Sequence, residues 1–126
     1  MALHVEWRGN HEELPTHELL LVAFPGIGNI GKVAIETIRK LDGTTEIARL
    51  HPTGLPPLAS LDEDGLLAPP HLSLNQTINQ DGGSILTLVG SAQPNEPSQQ
   101  SVMAAELMAF FKSQGVHDLL VLAGMI

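Results

Sequence analysis

Six consecutive apolar residues, Leu19-Leu20-Leu21-Val22-Ala23-Phe24, stop abruptly at Pro25-Gly26. A run this short, closed by turn residues, marks a strand buried on both faces rather than a membrane span. A glycine-rich turn, Pro25 to Gly31, follows it and leads into helical periodicity from about Asn29 to Leu41. There Ile30, Val33, Ala34, Ile38 and Leu41 recur on one face, and Lys32, Glu36, Arg39 and Lys40 on the other. Gly43 stands where a C-terminal cap belongs, and Glu46 to His51 reads as the returning strand. The segment is a β-α-β unit, and it confines the chain to the α/β class.

The pattern recurs. Ser84 to Val89 reads as a strand, Ser91 to Pro97 as a polar loop, Ser98 to Ser113 as a helix ended by Gly115, and Asp118 to Ala123 as a second returning strand. Two right-handed crossovers of this kind predict a mainly parallel sheet with flanking helices, in one domain over residues 1–126. Between them, Pro56 to Gln80 reads as short antiparallel strands around the turn Asp62-Glu63-Asp64-Gly65. Leu3-His4-Val5-Glu6-Trp7 alternates and adds an edge strand.

Composition removes several functions. With no cysteine, disulfide frameworks, thiolate metal sites and cysteine nucleophiles are excluded. A net charge of -8, with six scattered Lys and Arg, argues against nucleic-acid partners, because neutralising phosphates takes clustered cations. No apolar stretch reaches the ~20 residues that span a bilayer, and Met1 to Asn10 lacks the apolar core of a signal peptide. These features predict a cytoplasmic protein that binds no membrane.

The second helix carries too much apolar surface. Between Val102 and Phe111 its one polar residue is Glu106, which forms a narrow stripe with Gln99 and Ser113. A surface helix in a small domain is ordinarily wet over about half its circumference. Met103, Leu107, Met108, Phe110 and Phe111 are then either the apolar side of a core helix with an ordinary surplus or more than one sheet covers, and on the second reading they are the candidate interface of a homo-oligomer.

The glycine turn fits two readings. Gly26, Gly28 and Gly31 spell G-x-G-x-x-G between a strand and a helix, the setting in which helix amides receive a pyrophosphate. The ribose-binding acid expected about 20 residues on is replaced by His51-Pro52. Taken as G-x-x-x-x-G-K-[ST], the turn has Gly26, Gly31 and Lys32, but Val33 replaces the magnesium-binding hydroxyl. A sharp strand-to-helix turn needs glycines in any case. The structural reading is thus favoured over the alternative, an enzyme or sensor that binds a phosphate-bearing ligand such as a nucleotide at Gly26, Gly28, Gly31 and Lys32.

No histidine pair has the helical spacing of a zinc site among His4, His11, His17, His51, His71 and His117. Asp62-Glu63-Asp64-Gly65 lacks the later glycine and glutamate of a calcium loop, since Leu67 and Ser73 stand there. Ser91 follows a buried strand without a G-x-S-x-G elbow. No catalytic residue, metal or cofactor is assigned.

Three motifs in order, Leu21 to Ala34 with its glycine turn, Leu61-Asp62-Glu63-Asp64-Gly65, and Gly90-Ser91-Ala92-Gln93-Pro94, resemble the landmarks of the proteasome assembly chaperone 2 family. The resemblance implies a phosphorylase-like (Rossmann-like) α/β fold, of which the chain is the N-terminal half. It further implies a non-enzymatic, self-associating chaperone that binds proteasome α subunits. Family chaperones dock through a tail carrying a penultimate tyrosine; this sequence has no tyrosine and ends Leu122-Ala123-Gly124-Met125-Ile126.

Overall fold

The computed structural model describes residues 3–23, 30–41, 43–52, 55, 60–61, 65, 67–68, 70–90 and 96–121, with the backbone alone at 30–33, 60–61 and 68. The elements are β1 (His4–Trp7), β2 (Leu19–Ala23), α1 (Ile30–Arg39), β3 (Thr44–His51), β4 (Ser60–Leu61), β5 (Leu67–Ala68), β6 (Leu72–Ile78), β7 (Ser84–Gly90), α2 (Pro97–Ser113) and β8 (Leu119–Val121). Six strands form one sheet in the order β1-β3-β6-β7-β2-β8, and β4 pairs with β5 in a separate ribbon.

The sheet is mixed, which corrects the expectation of a mainly parallel one with Rossmann-like order. Strand β2 runs parallel to β7 and to β8, but β6 is antiparallel to both β7 and β3, and β1 is antiparallel to β3. The cause is a hairpin that hydrophobic runs alone do not reveal. Between β6 and β7, Asn79 Oδ1 accepts hydrogen bonds from the amides of Asp81 (3.1 Å) and Gly83 (2.8 Å). Gly82 takes φ +85, a backbone conformation open to glycine. Asn79-Gln80-Asp81-Gly82-Gly83 is a hairpin signal, and it inserts β6 and β7 between β3 and β2. The returning strand after α1 therefore lands away from β2.

The two crossovers run in opposite directions along the sheet. The one through α1 travels from β2 toward β3, whereas the one through α2 travels from β7 past β2 to β8. Right-handed connections that run in opposite directions along a sheet place their helices on opposite faces. Side chains alternate accordingly. Leu21, Ala23 and Val89 pack with Ile35 of α1, and Leu20, Val22, Leu86 and Leu88 pack with Met103, Leu107, Phe110 and Phe111 of α2. Leu3, Val5, Trp7 and Leu14 complete the α2 side.

A β-bulge in β3 sorts its residues. Glu46 lies opposite Asn75 and Ala48 opposite Leu74, leaving Ile47 as the extra residue. In a regular strand Glu46 and Arg49 would point to opposite faces. The bulge puts both on the α1 side of the sheet, where Arg49 Nε donates to Glu46 Oε1 at 3.1 Å, while Ile47 and Ala48 are both fully buried.

Candidate interaction surface

Helix α2 is built to present two apolar faces. Met103, Glu106, Leu107, Phe110 and Phe111 form its buried stripe at i, i+3, i+4, i+7 and i+8. Ser101, Val102, Ala104, Ala105, Met108 and Ala109 lie on the exposed side. The helix ends in a Schellman motif: the amide of Val116 donates to the Phe111 carbonyl (3.0 Å) and that of Gly115 to Lys112 (3.1 Å). Gly115 takes φ +77 at the position where an L-residue is strained. The motif turns the chain sharply into β8, whose first bond runs from the amide of Leu20 to the Asp118 carbonyl at 3.0 Å. The amide of Leu14 donates to Gln114 Oε1 (3.0 Å), tying the N-terminal segment to the same corner.

Among the described residues, strand β8 lies at the edge of the sheet and pairs with β2. Because its two faces alternate, Leu120 and Val121 project to opposite sides, and both are more than half exposed. Between β8 and the last turns of α2 lies a groove of about 330 Å³ lined by Met108, Ala109, Phe111, Lys112, Val116, His117 and Leu119. Met108, 55% exposed, joins this groove to the outer face of the helix.

The five residues singled out on this helix separate. Met103, Leu107, Phe110 and Phe111 are buried within the chain's own core, at 8% exposure or less, and Met108 alone of the five faces out. The exposed large apolar side chains of this region are Val102 and Met108 on the helix and Leu120 and Val121 on the strand. Glu106, read as part of a polar stripe, instead points inward at 8% exposure and has a partner within the fold.

Of the glycine turn, Gly26 and Gly28 lie outside the described residues, and Gly31 and Lys32 occupy the first turn of α1, their side chains likewise outside. Ala23, where β2 ends, pairs with Val89 of the parallel β7, so the glycine turn and the segment after Gly90 leave the sheet from adjacent strand ends. Ser91 and Asp62-Glu63-Asp64 also fall outside the described residues, while Gly65 takes φ +78 between β4 and β5.

A second polar constellation escaped the sequence reading. Strands β1, β3 and β6 align His4 with His51 and Leu50 with Leu72, which brings His51 beside His71. The ring centres of His4 and His51 are 5.5 Å apart, and those of His51 and His71 5.9 Å. His51 meets an acceptor at each nitrogen: Nε2 lies 3.2 Å from Glu6 Oε1 and Nδ1 3.2 Å from the Pro70 carbonyl. Arg8 holds Glu6 Oε2 at 3.0 Å and approaches Glu46 Oε1 at 3.5 Å. The His51 hydrogen bond, followed by Arg8, holds the Glu6 carboxyl below the usual carboxylate value against its partial burial. Sequence separation hides this row, because only strand register assembles it. Among the described residues, no group of three His, Asp or Glu side chains is arranged to hold a metal ion, and no helix is long and apolar enough to cross a membrane.

The fold defines a class: an α/β protein with helices on both faces of a mixed sheet. Residues 20–126 match the family model described as the PAC2 family, and the chain belongs to that family. Among solved structures, it is similar to Pyrococcus furiosus PbaB, an archaeal proteasome activator, with TM-score 0.77 and 15% identity over 98% of this chain and 52% of that one. It is also similar to P. furiosus PbaA, an archaeal homolog of proteasome-assembly chaperone, with TM-score 0.72 and 19% identity over 99% of this chain and 47% of that one. A protein of unknown function from Corynebacterium glutamicum ATCC 13032 follows at TM-score 0.61 and 14% identity, over 95% and 48% of the two chains. The chain thus spans about half the length of these relatives. No curated protein matches it.

Proposed function

We propose that this chain acts as a non-enzymatic, chaperone-like partner of the proteasome in the cytoplasm, holding α subunits and associating with copies of itself. The observation that carries the reading is the set of exposed apolar side chains on the α2 side of the molecule, Val102 and Met108 of the helix and Val121 of β8, beside the outermost strand among the described residues. Family membership gives that surface its context, since PbaB and PbaA are named for proteasome activation and assembly.

The test is capture from lysate with tagged protein, identification of the bound chains by mass spectrometry, and light scattering of the bait. Enrichment of proteasome α subunits, lost in Met108→Glu, is the expected result. A well-folded protein that enriches no α subunit and sizes as a monomer overturns the reading. Lys32→Ala leaves capture unchanged if the glycine turn is structural. A melting temperature that rises in millimolar phosphate, and does so less in Lys32→Ala, would instead favour an anion site at that turn.

A further inference from the structure

We infer that the Met108 thioether is a peroxide-sensitive modification site, at which oxidation to the sulfoxide makes the apolar outer face of α2 polar while the fold stays intact.

Composition and burial together select this sulfur. The chain has no cysteine, so thioethers are its only sulfur groups. Met103 and Met108 lie on the same helix, yet they are 5% and 55% exposed. Met103 packs in the core with Leu107, Phe110 and Phe111, out of reach of an oxidant in water. Met108 stands on the outer side of α2 and lines the groove beside β8. A hydroperoxide needs only access to a thioether. The sulfur lone pair attacks one peroxide oxygen, an S–O bond forms as the O–O bond breaks, and the other oxygen leaves as water once a proton has shifted to it. Sulfur is oxidised, the peroxide is reduced, and no metal or further co-reactant takes part. The rate therefore follows exposure, and the direction of α2 sorts its two methionines.

The surroundings of Met108 suit the product. A thioether is a weak acceptor, whereas a sulfoxide is polar and carries an oxygen that accepts hydrogen bonds well. Lys112 follows Met108 by one helical turn on the same exposed side, within side-chain reach. It lines the groove together with Met108 and His117. Among the described residues the Lys112 ammonium has no ion pair, so it is free to donate to the new oxygen. The core cluster does not include Met108, and oxidation there leaves the packing of Leu107, Phe110 and Phe111 in place.

The consequence is a change of surface rather than of fold. Val102 and Met108 are the large apolar side chains that α2 exposes, and oxidation removes the more exposed of the two. Its effect on partners rests on the function proposed above. The site itself and its change of polarity do not.

The experiment treats the whole chain with graded hydrogen peroxide and maps the products by peptide mass spectrometry. Met108 should gain its oxygen at least about ten-fold faster than Met103, in line with their exposures. The circular dichroism spectrum should not change. Fluorescence of the dye 1-anilinonaphthalene-8-sulfonate, which reports exposed apolar surface, should fall by about half or more and recover after treatment with methionine sulfoxide reductases. Met108→Leu keeps the face apolar without sulfur, and should hold its dye signal through the same peroxide treatment. Equal oxidation of Met103 and Met108, unfolding when Met108 is oxidised, an unchanged dye signal in the oxidised wild type, or a lost one in peroxide-treated Met108→Leu would each overturn the inference. Capture of α subunits is scored separately: reduced protein that captures none counts against the proposed function, while the peptide map and dye signal still decide the modification site.

Discussion

Leu107 and Met108 are neighbours on α2, yet their truncation should differ several-fold in cost. Leu107 is 5% exposed within the cluster that also holds Met103, Phe110 and Phe111, and Met108 is 55% exposed. Leu→Ala in a core costs about 2–5 kcal/mol, the spread reflecting how far the site collapses around the void. Here two aromatic rings bracket the position and are themselves packed, Phe110 against Trp7 at 6.2 Å and against Phe111 at 5.4 Å. Collapse is restrained, so about 3 kcal/mol is expected for Leu107→Ala. For a domain of this size that lowers the melting temperature by roughly 10–15 °C. Met108→Ala loses little burial and gains helix propensity, so its effect should stay within about 0.5 kcal/mol. Urea unfolding followed by Trp7 fluorescence measures both. Equal costs for the two variants, or a loss below about 1 kcal/mol for Leu107→Ala, would refute this orientation of α2 and with it the outward apolar face.

Two glycines at positive φ should respond differently to alanine. At Gly43, φ +86, a Cβ would meet the Ile78 carbonyl oxygen at 2.7 Å, whereas at Gly115, φ +77, it meets nothing within 4 Å. Gly115→Ala should cost about 1 kcal/mol in chemical denaturation, and Gly43→Ala clearly more, because a backbone atom must also move. Thr87 is fully buried, and its hydroxyl has no hydrogen-bond partner among the described residues. Thr87→Val keeps the shape and removes the orphaned group, so stability should hold or rise by up to about 1 kcal/mol; a loss above 1 kcal/mol would reveal a partner. Glu6 has its carboxyl lowered by His51 and Arg8, so the folded state prefers it ionised. That stabilisation is complete above the ordinary carboxylate value and disappears as pH falls through the lowered one. Melting temperatures between about pH 7 and 3 should therefore drop less steeply in Glu6→Gln than in the wild type.

The amino-acid sequence by itself determined most of the elements of this fold. A continuous apolar run marked β2 and a largely apolar one β7, 3.6-residue periodicity marked α1, and a following glycine closed both α1 and α2, because burial on two faces and on one stripe leaves different patterns. The surplus of apolar side chains on α2 was equally visible. Its direction was not, since an almost wholly apolar helix has no polar face to orient it; packing against Leu86 and Leu88 turned Phe110 and Phe111 inward and left Met108 outside. Only the tertiary structure decided strand order. The hairpin at Asn79 to Gly83 drives β6 and β7 between β2 and β3, and no local propensity reports where a crossover lands. The same register places His4, His51 and His71 in one row and, through the bulge at Ile47, Glu46 beside Arg49. Helix and strand formation depend on residues a few positions apart and can be read along the chain; charge networks and open edges depend on pairings between distant segments, which exist only once the sheet has formed.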